Sequence, residues 1–223
     1  MNRRTLHILL LRHGQTDANA SGRLQGHQPT PLNLTGVRQA VRLAERLAGF
    51  RPPVEVLISS DLPRAMQTAS PIAAACGLKL VLDGAWRERH FGQLEGKPVG
   101  SRDLWRTASG ELDPPGAEPA ATMRERILSA LQQLPGRYPR AHCIAVVTHG
   151  GPIRSVLRLL VEGALPSTRG RALLAQLAGE LPPIANCSIL HLMARHYRDG
   201  VRWRLSCVND SAHLGQVTTG EGG

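Results

Sequence analysis

Leu6-His7-Ile8-Leu9-Leu10-Leu11-Arg12-His13-Gly14 is a short apolar run that stops at a charged residue and a glycine. Val54-Glu55-Val56-Leu57-Ile58-Ser59 and Cys143-Ile144-Ala145-Val146-Val147-Thr148 have a similar build. Runs of this length bounded by breakers suit strands buried on both faces, as in sheets covered by helices. Between them the period changes. Val37, Ala40, Val41, Ala44, Leu47 and Ala48 recur at three- and four-residue spacing, with Arg38, Arg42, Glu45 and Arg46 on the other face, which predicts an amphipathic helix ending near Gly49. A second helix is expected from Asp61 as N-cap through Arg64 to about Cys76, with a bend or break at Pro71. Leu78 to Leu82 reads as a strand, and Thr122 to Leu134 and Pro152 to Val161 read as helices. Ser188 to Ala194 and Val201 to Val208 flank the turn signal Arg198-Asp199-Gly200 and read as a hairpin.

This alternation predicts an α/β fold: a three-layer α/β/α arrangement with a mostly parallel central sheet, helices on both faces, and an antiparallel C-terminal addition. A 223-residue chain that is 42% hydrophobic can bury one sizeable core. Residues 1–217 are therefore expected to form a single domain, with the Gly- and Pro-rich stretch at about 84–122 as a cap-like insertion and 218–223 as a flexible tail. The C-terminal hairpin offers an edge on which a second copy of the chain could pair as a homodimer.

The formal charge is +10, and because Lys79 and Lys97 are the only lysines, nearly all the positive charge is arginine. Such a field attracts anions. The arginines are scattered rather than gathered in a basic run, and aromatics are 3% of the chain, so a small anionic ligand is expected in preference to nucleic acid. Cys76, Cys143, Cys187 and Cys207 show no C-x-x-C spacing, which argues against zinc and against a disulfide framework, and points to a reducing cytoplasm. No metal or cofactor is expected. The opening Met1-Asn2-Arg3-Arg4 and the apolar run behind it imitate a secretory leader, but the run ends at Arg12 with no small-residue cleavage site. No segment reaches the length of a membrane span, so no membrane contact is expected.

The chemistry gathers at strand ends. Arg12-His13-Gly14 closes one predicted strand and His149-Gly150-Gly151 closes another. In open α/β sheets ligands bind at the carboxyl ends of strands, so two histidines distant in sequence can share one rim. The helix expected after Gly151 would aim free backbone N–H groups at an anion there. Arg64, in the first turn of a helix leaving a third strand, can join Arg12 as a clamp, because a guanidinium fork matches phosphate oxygens two at a time.

With these residues in place the chain resembles the histidine phosphatase superfamily, which includes phosphoglycerate mutases and many small phosphomonoesterases. The resemblance rests on Leu11 to Thr16 with Asn19, Leu24-Gln25-Gly26, Leu32 to Gly36, Ser59 to Thr68, Glu88 to Gly96, and Val147 to Gly151, in family order. It implies that His13 accepts the phosphoryl group, that Arg12, Arg64 and His149 bind its oxygens, and that Gly26 and Gly150 stand beside the substrate. Asn19 and Gln25 would add contacts to phosphate. Glu88 would donate the proton that the leaving alkoxide needs, although it sits among Arg87, Arg89 and Glu95, where a surface ion pair with an arginine is the alternative. His90, two residues from Glu88, is the one further histidine that reads as a candidate; the rest read as ordinary.

The stretch Glu88-Arg89-His90-Phe91-Gly92 is similar to that of the mutases. The mutases, however, carry an insertion with paired arginines, whereas residues 96–118 here hold only Arg102 and Arg106, well apart. Pro115-Gly116-Ala117-Glu118 resembles a degraded Gly-Gly-Glu stretch of the phosphatases. The expectation is a phosphatase acting on a small phosphorylated metabolite, with a mutase as the alternative enzyme and a phosphate-binding module without turnover as the third reading.

Overall fold

The structure, a computed structural model, describes residues 5–105, 114–169, 181, 183–197 and 200–215. Its centre is one seven-stranded sheet. The strands are β1 (Thr5–Arg12), β2 (Val56–Ser59), β3 (Leu80–Leu82), β4 (Cys143–Thr148), β5 (Ser167–Arg169), β6 (Ile189–Tyr197) and β7 (Gly200–Asp210), in the order β3-β2-β4-β1-β6-β7-β5. All neighbouring pairs from β3 to β1 are parallel, and β6 is antiparallel to both β1 and β7. Since β5 is parallel to β7, only β6 runs against the rest. The expected mixture is present, including the antiparallel addition. The outer edge of β7 is partly taken by β5, which pairs at Trp203 and Arg204, so the hairpin does not present a wholly free edge.

Among the described residues five α-helices complete the layers: α1 (Asp17–Ala20), α2 (Leu34–Ala48), α3 (Pro63–Cys76), α4 (Ala120–Arg137) and α5 (Gly150–Val161). Side chains alternate across each strand, and the sheet uses that alternation to build two cores. Leu6, Ile8 and Leu10 face one side and pack with Ile127 and Leu131 of α4 and Val156 and Leu160 of α5. Leu9 and Leu11 face the other side, against Leu43 and Leu47 of α2 and Ala65, Ala69 and Ile72 of α3. The two parallel neighbours β1 and β4 are in register from His7↔Cys143 to Arg12↔Thr148, so both strands end at one level and set His13 beside His149.

Three local expectations need correction. The buried face of α2 is Gly36, Ala40, Leu43, Ala44 and Leu47, while Val37 and Val41 are about half exposed. The helix is rotated from the predicted stripe because its first turn is pressed against the chain after His13: a Cβ on Gly14 would stand 2.6 Å from the Gly36 carbonyl oxygen. Asp61 is not an N-cap. Helix α3 starts at Pro63 after Leu62, and Asp61 instead accepts from Arg87 Nε at 2.6 Å. A proline in the first turn needs no capping partner for its missing N–H, which leaves the carboxylate available elsewhere. Finally, of the bend or break expected at Pro71 the break is absent: α3 runs on to Cys76, held on the sheet by Ala65, Ala69 and Ile72.

The described residues of the stretch at about 84–122 carry three short 3-10 turns, Gly84–Trp86, Gly92–Leu94 and Val99–Trp105. Glu88, Arg89, Phe91 and Val99 from it line a cleft above the strand ends. Residue 106 and the turn at 198–199 lie outside the described residues, as does the tail at 218–223. Among the described residues no helix is long and apolar enough to cross a membrane.

Candidate active site

The cleft has a volume of about 810 Å³ and opens at the carboxyl ends of β1, β2 and β4. His13, Arg12, Arg64 and Glu88 line it. The imidazole of His13 is 3% exposed, and its Nδ1 lies 2.7 Å from the Gly14 carbonyl oxygen. A carbonyl can only accept, so the ring proton sits on Nδ1 and the lone pair sits on Nε2. Burial, and then the charges of Arg64 and Arg12, hold the ring's pKa well below 6.5. The result is a neutral imidazole with a fixed tautomer.

His149 is fully buried, with its ring centroid 5.1 Å from that of His13. It stands beside His13 without lining the open cleft. Its Nε2 lies 2.9 Å from Ser60 Oγ, which itself accepts from the Leu62 N–H at 3.3 Å. The Ser60 hydroxyl can donate its proton to Nε2, and in that tautomer the His149 proton lies on Nδ1 as a donor. Burial first, then Arg64 and His13, lower its pKa well below 6.5.

Arg64 is 1% exposed and is fixed by donating Nη2 to the Gly26 carbonyl at 2.7 Å and Nη1 to the Gln28 carbonyl at 3.1 Å. Burial lowers its pKa to about 10, so it remains charged at neutral pH. Arg12 donates Nη1 to the Ile184 carbonyl. Three buried polar atoms of this cluster have no hydrogen-bond partner among the described residues: Arg12 Nε, Arg64 Nε and His149 Nδ1. Buried donors without partners cost free energy, and an anion with several acceptor oxygens offsets that cost here.

Glu88 is not in a surface ion pair. Its Oε1 accepts from the Arg89 N–H at 2.9 Å and its Oε2 from the Gly151 N–H, in the first turn of α5, at 3.0 Å. The competing charges are occupied elsewhere: Arg87 with Asp61, and Arg89 Nε with the Glu118 carbonyl. Gly151 is required for this seat, since a Cβ there would stand 2.0 Å from Glu88 Oε1. Gly151→Ala is expected to displace the carboxylate and lower kcat by roughly 10²-fold, with an unchanged far-UV spectrum.

Asn19 and Gln25 both line the cleft. Asn19 Oδ1 accepts from the Thr16 N–H and from Asn186 Nδ2, and Gln25 Oε1 accepts from Thr16 Oγ1. With those oxygens engaged, the amide nitrogens are what the two residues can offer a ligand, and donors are what phosphate needs. Gly26 contributes its carbonyl to Arg64, and Gly150 lies at the start of α5 against the cleft.

Sequence reasoning did not single out Asn186 or Ser60 as site residues, or the part played by Glu95. Asn186 Nδ2 donates to the His13 carbonyl at 2.9 Å from a loop with no motif around it. Glu95 Oε1 accepts from the backbone N–H groups of His27 and Phe91, tying the Arg64-holding loop to the Glu88 loop. His90 contacts Glu95 at 3.6 Å and His27 edge-on, so it belongs to that tie.

The lowered histidine pKa values have a signed consequence. Each ring binds its proton more weakly folded than unfolded, so their stabilising effect is complete above about 6.5 and is lost as pH falls from there toward the lower folded values. A histidine-selective NMR titration should show no inflection near 6.5 for either ring, and melting temperature should fall as pH drops below it.

An α/β protein with a neutral buried imidazole, two buried arginines and a seated carboxylate at the strand ends has the construction of a nucleophilic phosphoryl-transfer enzyme. The family model described as "Histidine phosphatase superfamily (branch 1)" matches residues 8–205, and the chain belongs to that superfamily. It is 33% identical over 220 residues to a metal-independent phosphoserine phosphatase of Arabidopsis thaliana, covering 94% of this chain and 84% of the relative. It is equally 33% identical to a probable phosphoglycerate mutase of Yersinia enterocolitica, covering 94% and 95%. Among solved structures, mycobacterial glucosyl-3-phosphoglycerate phosphatase complexed with VO3 superposes with a TM-score of 0.75 at 29% identity, covering 92% of this chain and 100% of that one.

Proposed function

We propose that the protein is a phosphomonoesterase that hydrolyses a small phosphorylated metabolite through a phosphohistidine on His13. The observation that carries this reading is the bond from His13 Nδ1 to the Gly14 carbonyl, which leaves a nucleophilic lone pair on Nε2 in a ring flanked by two buried guanidinium groups. Nε2 attacks phosphorus, and the bond from phosphorus to the ester oxygen breaks as Glu88 gives that oxygen a proton. The phosphorylated ring carries positive charge, which the Gly14 carbonyl stabilises through Nδ1–H. Water then attacks phosphorus, Glu88 takes a proton back, the P–N bond breaks, and inorganic phosphate leaves with His13 neutral again. Arg12, Arg64 and the His149 Nδ1–H hold the phosphoryl oxygens throughout and stabilise charge on the transferring group. Asn19, Gln25 and the backbone at Gly26 and Gly150 complete the pocket.

The stretch at about 84–122 supplies the wall facing the organic part of the substrate, within one catalytic domain over 1–217. Free thiols at Cys76, Cys143, Cys187 and Cys207 fit a cytoplasmic location. A mutase uses the same first step but returns the phosphoryl group to a second position of the substrate. Phosphate release from an aryl phosphate should therefore be compared with interconversion of phosphoglycerates primed by their bisphosphate. Release is expected to be faster, and isomerisation outpacing it overturns the phosphatase reading.

A further inference from the structure

Residues 87–91, which carry Glu88, belong to no helix or named strand. Of the two bonds to the Glu88 carboxylate, the one from the Arg89 N–H moves with the stretch itself, which leaves the Gly151 N–H as its outside anchor among the described residues. The aim of the carboxyl group therefore depends on what holds the backbone behind it. Ahead of Glu88, three carbonyls in a row are taken. Arg126 Nη1 donates to the Ala85 carbonyl at 2.8 Å and to the Arg87 carbonyl at 3.1 Å, and Thr148 Oγ1, at the end of β4, donates to the Trp86 carbonyl between them at 2.7 Å. After Glu88, the Glu118 carbonyl accepts from Arg89 Nε at 2.6 Å, and the Glu118 N–H donates to the His90 carbonyl at 3.0 Å.

The two sides are joined by one ion pair. Arg126 Nε and Nη2 donate to the two oxygens of the Glu118 carboxylate at 3.0 and 2.8 Å, the two-pronged geometry that only a guanidinium offers. The side chains are 22% and 16% exposed, and Arg126 stands on α4, whose Met123 and Ile127 are fixed in the core. An exposed ion pair contributes little. This one is mostly buried, and its arginine makes four hydrogen bonds, two of them to the peptides just ahead of the acid. Neither Arg126 nor Glu118 lines the cleft, so neither touches a substrate there. The phosphoryl-binding cluster is held by other elements: Arg64 by the Gly26 and Gln28 carbonyls, and His13 by Gly14 and Asn186.

We propose that Arg126 and Glu118 are positioning residues for the acid, a bracket that clamps the backbone on both sides of Glu88 and so sets where its carboxyl group meets the leaving oxygen. This rests on the phosphatase reading and extends it from the residue that carries the proton to the pair that aims it. Loss of the bracket impairs proton delivery and spares transfer of the phosphoryl group to His13.

Arg126→Met keeps an aliphatic stem and removes all four bonds. With an alkyl phosphate its kcat should fall about 10- to 100-fold at a KM within about twofold, the scale of loss when a catalytic group is misplaced by about 1 Å. Phosphohistidine formation from an aryl phosphate, whose phenoxide leaves without a proton, should fall less than about threefold. Glu118→Gln keeps the shape of the pair, is the milder lesion, and should move the alkyl-to-aryl ratio in the same direction. Arg137→Met breaks a more exposed tie from the same helix, to Asp83, and should leave that ratio unchanged. Equal losses for both esters in Arg126→Met and Glu118→Gln are the mark of a merely structural pair and overturn the bracket. So does a further fall of the ratio when Arg126→Met is added to Glu88→Gln, because a residue acting through Glu88 then has nothing left to aim. If the wild-type protein hydrolyses neither ester, or Glu88→Gln shows no dependence on leaving group, the reading of the reaction has failed separately. The bracket is then read from NMR: the amide resonances of Arg89 and Gly151, the two donors to Glu88, should shift in Arg126→Met while that of Gly14, which donates to Thr68, stays in place. Unmoved Arg89 and Gly151 resonances overturn it.

Discussion

His13→Ala should lose at least about 10⁴-fold in kcat/KM toward any phosphomonoester, and no phosphorylated protein should form. The loss is expected to be this large because, among the described residues, no neighbour is placed to replace the proposed nucleophile. Among the described residues His149 is the only other imidazole in ring contact with His13, but it is fully enclosed and its Nε2 is engaged by Ser60. Water attacking directly would have to do so without the preformed geometry, and phosphate monoesters are among the slowest esters to hydrolyse unaided. Mixing wild-type protein with a phosphorus-labelled substrate and quenching within one turnover should trap label on protein. That label should be lost in acid and kept in base, as a P–N bond requires. Removing the imidazole does not remove Arg12 or Arg64, so phosphate should still bind the variant. A variant that kept turnover would place the chemistry on another residue.

The charged cluster was legible in the sequence because each of its members sits at a junction that has its own signature. Arg12 and His13 follow an apolar run, His149 follows another, and Arg64 follows a proline that starts a helix. Parallel pairing of β1 with β4 then brings the first two of these junctions to one level without any further information. Other features depend on contacts made only once the chain is folded. The rotation of α2 is decided by the approach of Gly36 to the chain after His13, which periodicity cannot register when Val37 and Val41 fit a stripe as well as Leu43 does. Asp61 has the right chemistry for a cap, but its partner Arg87 is 26 residues away and outcompetes the local role. Asn186 supports the His13 carbonyl from 173 residues away, in a loop where an asparagine ordinarily signals no more than a turn.

Glu88→Gln should divide substrates by their leaving groups. An alkyl phosphate expels a strongly basic alkoxide, and for it kcat should fall on the order of 10²- to 10⁴-fold, the usual contribution of a positioned general acid. An aryl phosphate expels a phenoxide that is stable without a proton, so formation of the phosphohistidine from it should fall far less. Glutamine is close to isosteric with glutamate, and its amide oxygen can keep one of the bonds from the Arg89 and Gly151 N–H groups, so the α5 junction should hold its shape. In the proposed mechanism the second half of the reaction also uses Glu88, to take the proton from attacking water. With the aryl substrate the variant should therefore form phosphohistidine quickly and break it down slowly, giving a burst of phenol of about one equivalent followed by a slow steady rate. Equal losses with alkyl and aryl esters, and no burst, would assign the proton transfers to some group other than Glu88. The outcome also bears on the role of Gly151. If Glu88 acts as a proton carrier and not as a structural anion, Gly151→Ala should reproduce the same dependence on leaving group, because the Cβ that would stand 2.0 Å from Glu88 Oε1 displaces the carboxyl group without changing its chemistry.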